Sequence, residues 1–367
     1  MITRTFQPIG QGAFYTEKHS YPNGNKFNVV YDCGSSTLTN KELQNRIRSA
    51  FAKGEIIDVL FISHFHSDHI NGIEFLKDYC RIKSVIPPLI NAQDSIIYGI
   101  ENSAAFENEE NDFDDLINNP TEYFSPNTTI IRINPYDNEN SNEQEIINLQ
   151  ELKEGDRRNV NSTVKFQIAQ WIYVPFNFEQ KDRTRQLVDS LKRQGLELNS
   201  LTSIDRILGS KAKIKEAYNA IDGNLNENSM VVFSGPLDGV KLSAKIQFNA
   251  FTAGHWHYRY YASCLYTGDF NAKALPNVKA IITFIGQFAQ PLGTLQIPHH
   301  GSAHNFSDYI LGTHPCLCVV SVGNFNTYGH PSQDVLNSIL RSNGRPQVVT
   351  ENIESIYIQT IDNSSGN

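Results

Sequence analysis

Asp58-Val59-Leu60-Phe61-Ile62-Ser63-His64-Phe65-His66-Ser67-Asp68-His69-Ile70-Asn71-Gly72 is the stretch whose reading decides the fold. Its apolar run 59–62 reads as a buried strand. Within six residues that strand delivers four metal-capable side chains: His64, His66, Asp68 and His69. Neutral imidazoles and a carboxylate suit zinc and its borderline relatives, at ligand bonds of about 2.0–2.2 Å. In an extended or sharply turning segment His64 and His66 share one direction, so Asp68 and His69 can aim at a second ion. The pattern predicts a two-metal hydrolytic centre. A chance surface cluster and a single structural zinc are the competing readings.

The flanking segments give this loop a frame. Residues 27–31 are a β-rich run ending at Asp32-Cys33-Gly34-Ser35. Residues 39–53 have helical spacing, with Leu43, Ile47, Ala50 and Phe51 on one side, a cap at Thr39 or Asn40, and Gly54 as the stop. Residues 70–79 read as a helix and 81–86 as a strand closed by Pro87-Pro88. This alternation is the layout of an α/β layered sandwich. Further strands are expected at 164–168, 171–175, 229–234, 245–251, 262–267, 279–285, 294–298, 316–322, 347–350 and 355–360. Two facing half-sheets in one domain, 1–367, is the economical arrangement. Residues 94–160, rich in Asn, Asp and Glu, read as an acidic insertion, which offers a lid or a protein-partner surface as its sharper use. Residues 179–225 read as a helical insertion packed on the sandwich, and the tail 363–367 is expected to fray.

Bulk properties narrow the class. The 367 residues are 40% hydrophobic and 19% charged, an ordinary globular balance. A formal charge of −8 favours no polyanion, although bound metals add local positive charge. No apolar run is long enough to span a bilayer and the start lacks a signal-peptide core, so a soluble, cytoplasmic protein with no membrane partner is expected. Five scattered cysteines (Cys33, Cys80, Cys264, Cys316 and Cys318) read as reduced thiols, with Cys316 and Cys318 on one side of a strand.

Three later segments place polar groups directly after β-runs, where a loop presents them on a rigid edge. They are LYTGDF with Asp269, IPHHGS with His299 and His300, and SVGNFNTYGHPS with His330.

HFHSDH resembles the HxHxDH signature of the metallo-β-lactamase superfamily. The ordered downstream set is similar to the C-terminal domain of the competence protein ComEC and to related phosphorylcholine esterases. The resemblance implies a four-layer αββα sandwich and two divalent metal ions, zinc first and manganese second. It implies that His64 and His66 bind one metal, that Asp68 and His69 bind the other, and that Asp269 bridges them. His299 or His300 completes the set. His330 stands at the mouth as a substrate contact, an acid or a further ligand. Asp32 is expected to hold a ligand histidine in its tautomer, and Asn228 to stand behind the ligands where other members place another histidine. His255 and His257 are alternatives for that missing ligand.

The implied chemistry is hydrolysis of a phosphodiester, nucleic acid included, by metal-activated water. Asp68 or Asp269 takes the water's proton and His300 or His330 protonates the leaving oxygen. The rivals are a lactonase or other ester hydrolase of a small molecule, a di-iron redox protein with a flavin partner, and a partner-binding subunit of a multi-gene system such as phage defence.

Overall fold

The structure, a computed structural model, describes residues 1–91, 94, 95, 98, 113–137, 145–178, 181–197, 209–219, 229–237, 243–247, 260–288, 291–312 and 316–362. The expectations for 248–251, for Asn228, His255 and His257, and for the tail 363–367 lie outside the described residues.

Two sheets carry the fold. One runs through Arg157–Val160, Thr129–Ile133, Ser84–Ile86, Val59–Phe61, Lys26–Ser35, Gly12–Ser20, Ile2–Phe6, Tyr357–Asp362, Ser243–Gln247 and Tyr260–Tyr261. The other runs through Arg345–Val349, Leu317–Ser321, Thr294–Gln296, Cys264–Tyr266, Val231–Pro236, Trp171–Phe176, Lys165–Ile168 and Ile146–Asn148. Alternation along the strands sets the layers. Val29, Tyr31, Val59 and Phe61 meet Phe166, Tyr173, Val232 and Tyr266 between the sheets. Their neighbours Val30, Leu60 and Ile62 face outward onto Leu43 and Ile47 of the helix Asn40–Ala50 and onto Ile73 and Leu76 of the helix Ile73–Tyr79. On the far side Val174, Val231, Leu265 and Val320 pack against Val278 and Ile281 of the helix Leu275–Ile285 and Val335 and Ile339 of the helix Gln333–Arg341. Helix, sheet, sheet, helix is the four-layer order expected from the resemblance.

Several expectations shift. The segment 279–285, read as a strand, lies in the helix Leu275–Ile285 with Pro276 in its first turn. Both faces of that segment are apolar, so its period does not separate strand from helix. The stretch 94–160 is partly sheet: Thr129–Ile133 and Arg157–Val160 extend the first sheet and Ile146–Asn148 the second. Strands Ile2–Phe6 and Gly12–Ser20 carry no expectation from sequence. The five cysteines are buried and free, and the Cys316 and Cys318 sulfurs lie 3.7 Å apart. No helix among the described residues is long and apolar enough to cross a membrane.

A buried polar seam pins the sheets together. Glu17 of Gly12–Ser20 accepts from Arg4 Nε at 2.7 Å, from Tyr173 at 2.7 Å, from Tyr266 at 2.7 Å and from Ser234 at 2.8 Å. Arg4 also donates to the Ala262 carbonyl at 3.0 Å and to Gln359 at 2.9 Å. His19 Nε2 lies 2.7 Å from the Tyr173 hydroxyl. Burial pushes the Glu17 carboxyl up, but Arg4, His19 and the two tyrosines outweigh it and hold it below its usual range. Burial also drives the His19 imidazole down to about 4, against the pull of Glu17.

Because the folded His19 binds its proton more weakly than the unfolded one, the unfolded state takes up more protons below about pH 6.5. Stability is therefore expected to be full above about 6.5 and to fall as the pH drops toward 4. His19→Gln should flatten that fall, while Glu17→Gln should cost about 3–5 kcal/mol at neutral pH by stranding Arg4. Urea denaturation as a function of pH checks both.

Candidate metal centre

The strand Val59–Phe61 stops short of Ser63, and the chain turns through His64 and His66 into the short helix Ser67–Ile70. His66 sits at that helix's N-cap, and Asp68 and His69 lie inside it. Gly34 lets the helix lie against strand Lys26–Ser35: a Cβ there would meet the Asp68 carbonyl carbon at 2.6 Å. Asp269 arrives from the second sheet past Gly268, whose φ is +54° and whose added Cβ would meet Ser63 Oγ at 2.9 Å. His299 and His300 follow strand Thr294–Gln296 with φ of 47° and 54°. Two consecutive left-handed residues other than glycine cost about 1–3 kcal/mol each, and such strain gathers at functional sites.

These loops converge on one buried point. His64 Nε2 lies 3.8 Å from Asp269 Oδ2, and His69 Nε2 lies 3.3 Å from Asp269 Oδ1. His300 Nε2 lies 3.4 Å from Asp68 Oδ2 and 3.7 Å from Asp269 Oδ1. Two donor sets form, His64 with His69 and Asp269, and Asp68 with His69 and His300, each within 4.8 Å. Ligands about 2.0–2.2 Å from a shared ion lie roughly 3–4 Å from each other, which these spacings match.

The partners behind the imidazoles fix their tautomers. Asp32, at the unusual φ of 55°, accepts from Ser63 N at 2.7 Å, Ser63 Oγ at 2.6 Å and His69 Nδ1 at 2.8 Å. With its proton on Asp32, the Ser63 hydroxyl is an acceptor for His64 Nδ1 at 2.9 Å. His300 Nδ1 donates to the Ser321 carbonyl at 2.9 Å. All three rings thus commit Nδ1 to these partners and turn Nε2 inward. Those Nε2 atoms and Asp269 Oδ1 are buried without a hydrogen-bond partner. Buried polar atoms are rarely left so, and divalent cations in the two donor sets would satisfy all four. The residues fit divalent metal.

The electrostatics agree. Burial pushes the Asp269 carboxyl up, but His299, His69 and His300 hold it well below its usual range. Asp68 is held low in the same way by His69 and His300. Burial lowers His64 well below the usual histidine range, with His69 adding to it. Burial lowers His69 too, yet Asp269 and Asp68 outweigh it and hold a proton there, which an arriving cation would displace. Asp32 is raised by burial, against the pull of His69.

The adjacent histidines separate. Of the two alternatives for the last ligand, His300 stands in the donor set, and His299 stands beside it with Nε2 3.9 Å from Asp269 Oδ2. The ring of His66 lies 5.1 Å from that of His64 and 5.7 Å from that of Tyr98, outside both sets among the described residues. His330 borders the site, its ring 6.1 Å from that of His299, and burial with the charges of His299 and His300 brings it down to about 4. Sequence reasoning missed Ser63 and Gln296. Gln296 accepts from the amides of Thr267 and Gly268 at 2.7 and 2.8 Å, setting the turn before Asp269. Ser229 accepts from the Asp269 amide at 2.8 Å and lies 3.1 Å from His64 Nδ1. It directly follows Asn228, which was expected in that supporting place and lies outside the described residues.

Residues 23–118 match the model of the metallo-beta-lactamase superfamily. That match spans less than half of the chain. The matched stretch holds the His64–His69 cluster; Asp269 and His300 lie beyond it. Among solved structures, the chain is similar to MEM-A1, a subclass B3 metallo-beta-lactamase from a soil metagenome library. That likeness has 11% identity over 84% of this chain and 79% of that one, at a TM-score of 0.31. It is also similar to a long-form RNase Z from yeast, with 11% identity over 95% of this chain and 37% of that one, at a TM-score of 0.31. Neither likeness bears on activity. The sequence has no match among curated proteins.

Asp32→Asn is expected to weaken metal binding by about 10–100-fold, because an amide has one acceptor oxygen where Ser63 and His69 donate to both carboxylate oxygens. His300→Ala should lose metal more completely than His299→Ala. Titration of the apoprotein against a chromophoric chelator measures all three.

Proposed function

We propose that the protein is a metal-dependent hydrolase of phosphodiesters, with nucleic acid as the leading substrate class. The observation that supports this reading is the set of unpartnered, tautomer-fixed Nε2 atoms of His64, His69 and His300 around Asp269. His64, His69 and Asp269 would hold one divalent ion, and Asp68, His69 and His300 the other, zinc or manganese, with His66 beside the first. Such ions supply a nucleophile at neutral pH and positive charge for phosphoryl oxygens. The preference for phosphodiesters draws on the likeness of LYTGDF, IPHHGS and SVGNFNTYGHPS to the ComEC C-terminal domain.

The chain's own groups supply the rest. Asp68, ionised and only partly buried, accepts the proton of the attacking water. His300, with Nδ1 committed to the Ser321 carbonyl and Nε2 to the donor set, is a ligand rather than the acid. His330, brought down to about 4, is neutral at pH 7 and serves as a hydrogen-bonding contact for substrate. The surrounding burial of Asp32, Ser63, Ser229 and Asp269 excludes bulk water and strengthens each of these interactions.

Asp269→Asn is expected to cut turnover by more than about 100-fold, beyond the effect of losing an outer partner, with the melting temperature of the apoprotein retained. Activity should vanish with chelator and return with zinc or manganese. The assay compares single- and double-stranded DNA, RNA and bis(p-nitrophenyl) phosphate with a lactone and thioester panel. Turnover confined to the lactones or thioesters, or undiminished by Asp269→Asn, refutes the reading.

A further inference from the structure

We infer that Tyr328, with Phe325, forms a stacking subsite for a nucleobase next to the phosphodiester bond to be cleaved. The inference rests on the phosphodiesterase reading and adds to it what the substrate carries beside the phosphate.

Phe325 and Tyr328 are the most exposed large apolar side chains among the described residues, at 94% and 73%. They do not belong to a broad apolar patch, because Asn324, Thr327 and Gly329 around them are polar or small and exposed. A protein-docking face would be wider. Their loop is also held firmly. Asn326 donates to the Gly323 carbonyl at 2.9 Å and to the His330 carbonyl at 2.7 Å, and accepts from the His330 amide at 2.8 Å. The Asn324 amide donates to Glu351 at 3.0 Å, and Gly323 packs against Thr37 so closely that a Cβ would meet Oγ1 at 2.6 Å. Two aromatic rings are thus kept in water on a braced loop, where ordering them for a ligand costs little further entropy.

Their position links them to the metal centre through rings. Tyr328 stacks on His330 with centroids 5.9 Å apart and 19° between planes. His330 meets His299 edge-on at 6.1 Å, and His299 Nε2 is 3.9 Å from Asp269. A substituent extending from a phosphate held at Asp269 therefore passes His330 and reaches Tyr328. The chemistry of that substituent follows from the ring and from the charge. With a net charge of −8 the chain offers no general attraction for a polyanion, so affinity beyond the ions must come from contacts other than phosphate pairing. Base-on-aromatic stacking is such a contact, and every base has a face to offer.

The test is fluorescence anisotropy of the zinc-loaded protein with labelled oligo(dT) and with an abasic oligomer of the same length. The wild type is expected to bind oligo(dT) more tightly. Tyr328→Ala should weaken oligo(dT) binding by about 5- to 150-fold and leave the abasic oligomer unchanged. Phe325→Ala should act in the same direction, and Tyr328→Phe should restore wild-type binding because the ring is kept. A dinucleotide arm tells a polymer from a small nucleotide as the source of the base. Equal binding of the two oligomers by the wild type, absence of binding to either, or an equal loss on both in Tyr328→Ala overturns the subsite. If the base preference holds while no phosphodiester is cleaved, the subsite stands and the hydrolase reading fails.

Discussion

The Asp32 carboxylate is the contact on which the rest of the site depends. It stands at the end of one strand and takes three hydrogen bonds, two from Ser63 and one from His69. Ser63 is then left as an acceptor only, which decides the tautomer of His64. One buried acid therefore orients two imidazoles five positions apart in the chain. Its own burial raises its affinity for protons, and His69 and Ser63 pull the other way. Orientation and charge are held by the same bonds.

Support from the second sheet is of a different kind. Ser229 and Gln296 do not touch the inward-facing atoms; they fix the backbone amides around Asp269. The Glu17 seam lies deeper and joins residues of both sheets through one carboxylate. The two halves of the donor set come from opposite sheets, so any sliding between them would part Asp269 from His64 and His69. A charged network needs near-ideal alignment to be tolerated in an apolar layer, which makes the relative position of the sheets sharply defined.

Much of this was legible in the chain because the informative residues are contiguous. HFHSDH, TGD and HHG each follow a β-run, and a strand end is where a rigid scaffold can present ligands. Asp32 was legible for the same reason. The choice between His299 and His300 was not, since it turns on two left-handed residues that side-chain pattern does not encode. Ser63 was hidden because serine is common in turns and only Asp32, from the neighbouring strand, gives it a role. The helix Leu275–Ile285 was misread where β-branched Val278, Ile281, Ile282 and Ile285 fill it, although Pro276 marked a helical first turn. Acidic composition likewise obscured Thr129–Ile133, whose Ile130, Ile131 and Ile133 are wholly buried.

Strand Ile2–Phe6 lies between Gly12–Ser20 and Tyr357–Asp362. Its second edge is thus completed by residues more than 300 positions away in the chain. During synthesis that edge stays open until Tyr357–Asp362 has emerged, with Arg4 still lacking its bond to Gln359. An open edge of this kind invites pairing with a neighbouring chain. Closing that border therefore waits for Tyr357–Asp362, and Arg4 gains its Gln359 partner in the same step.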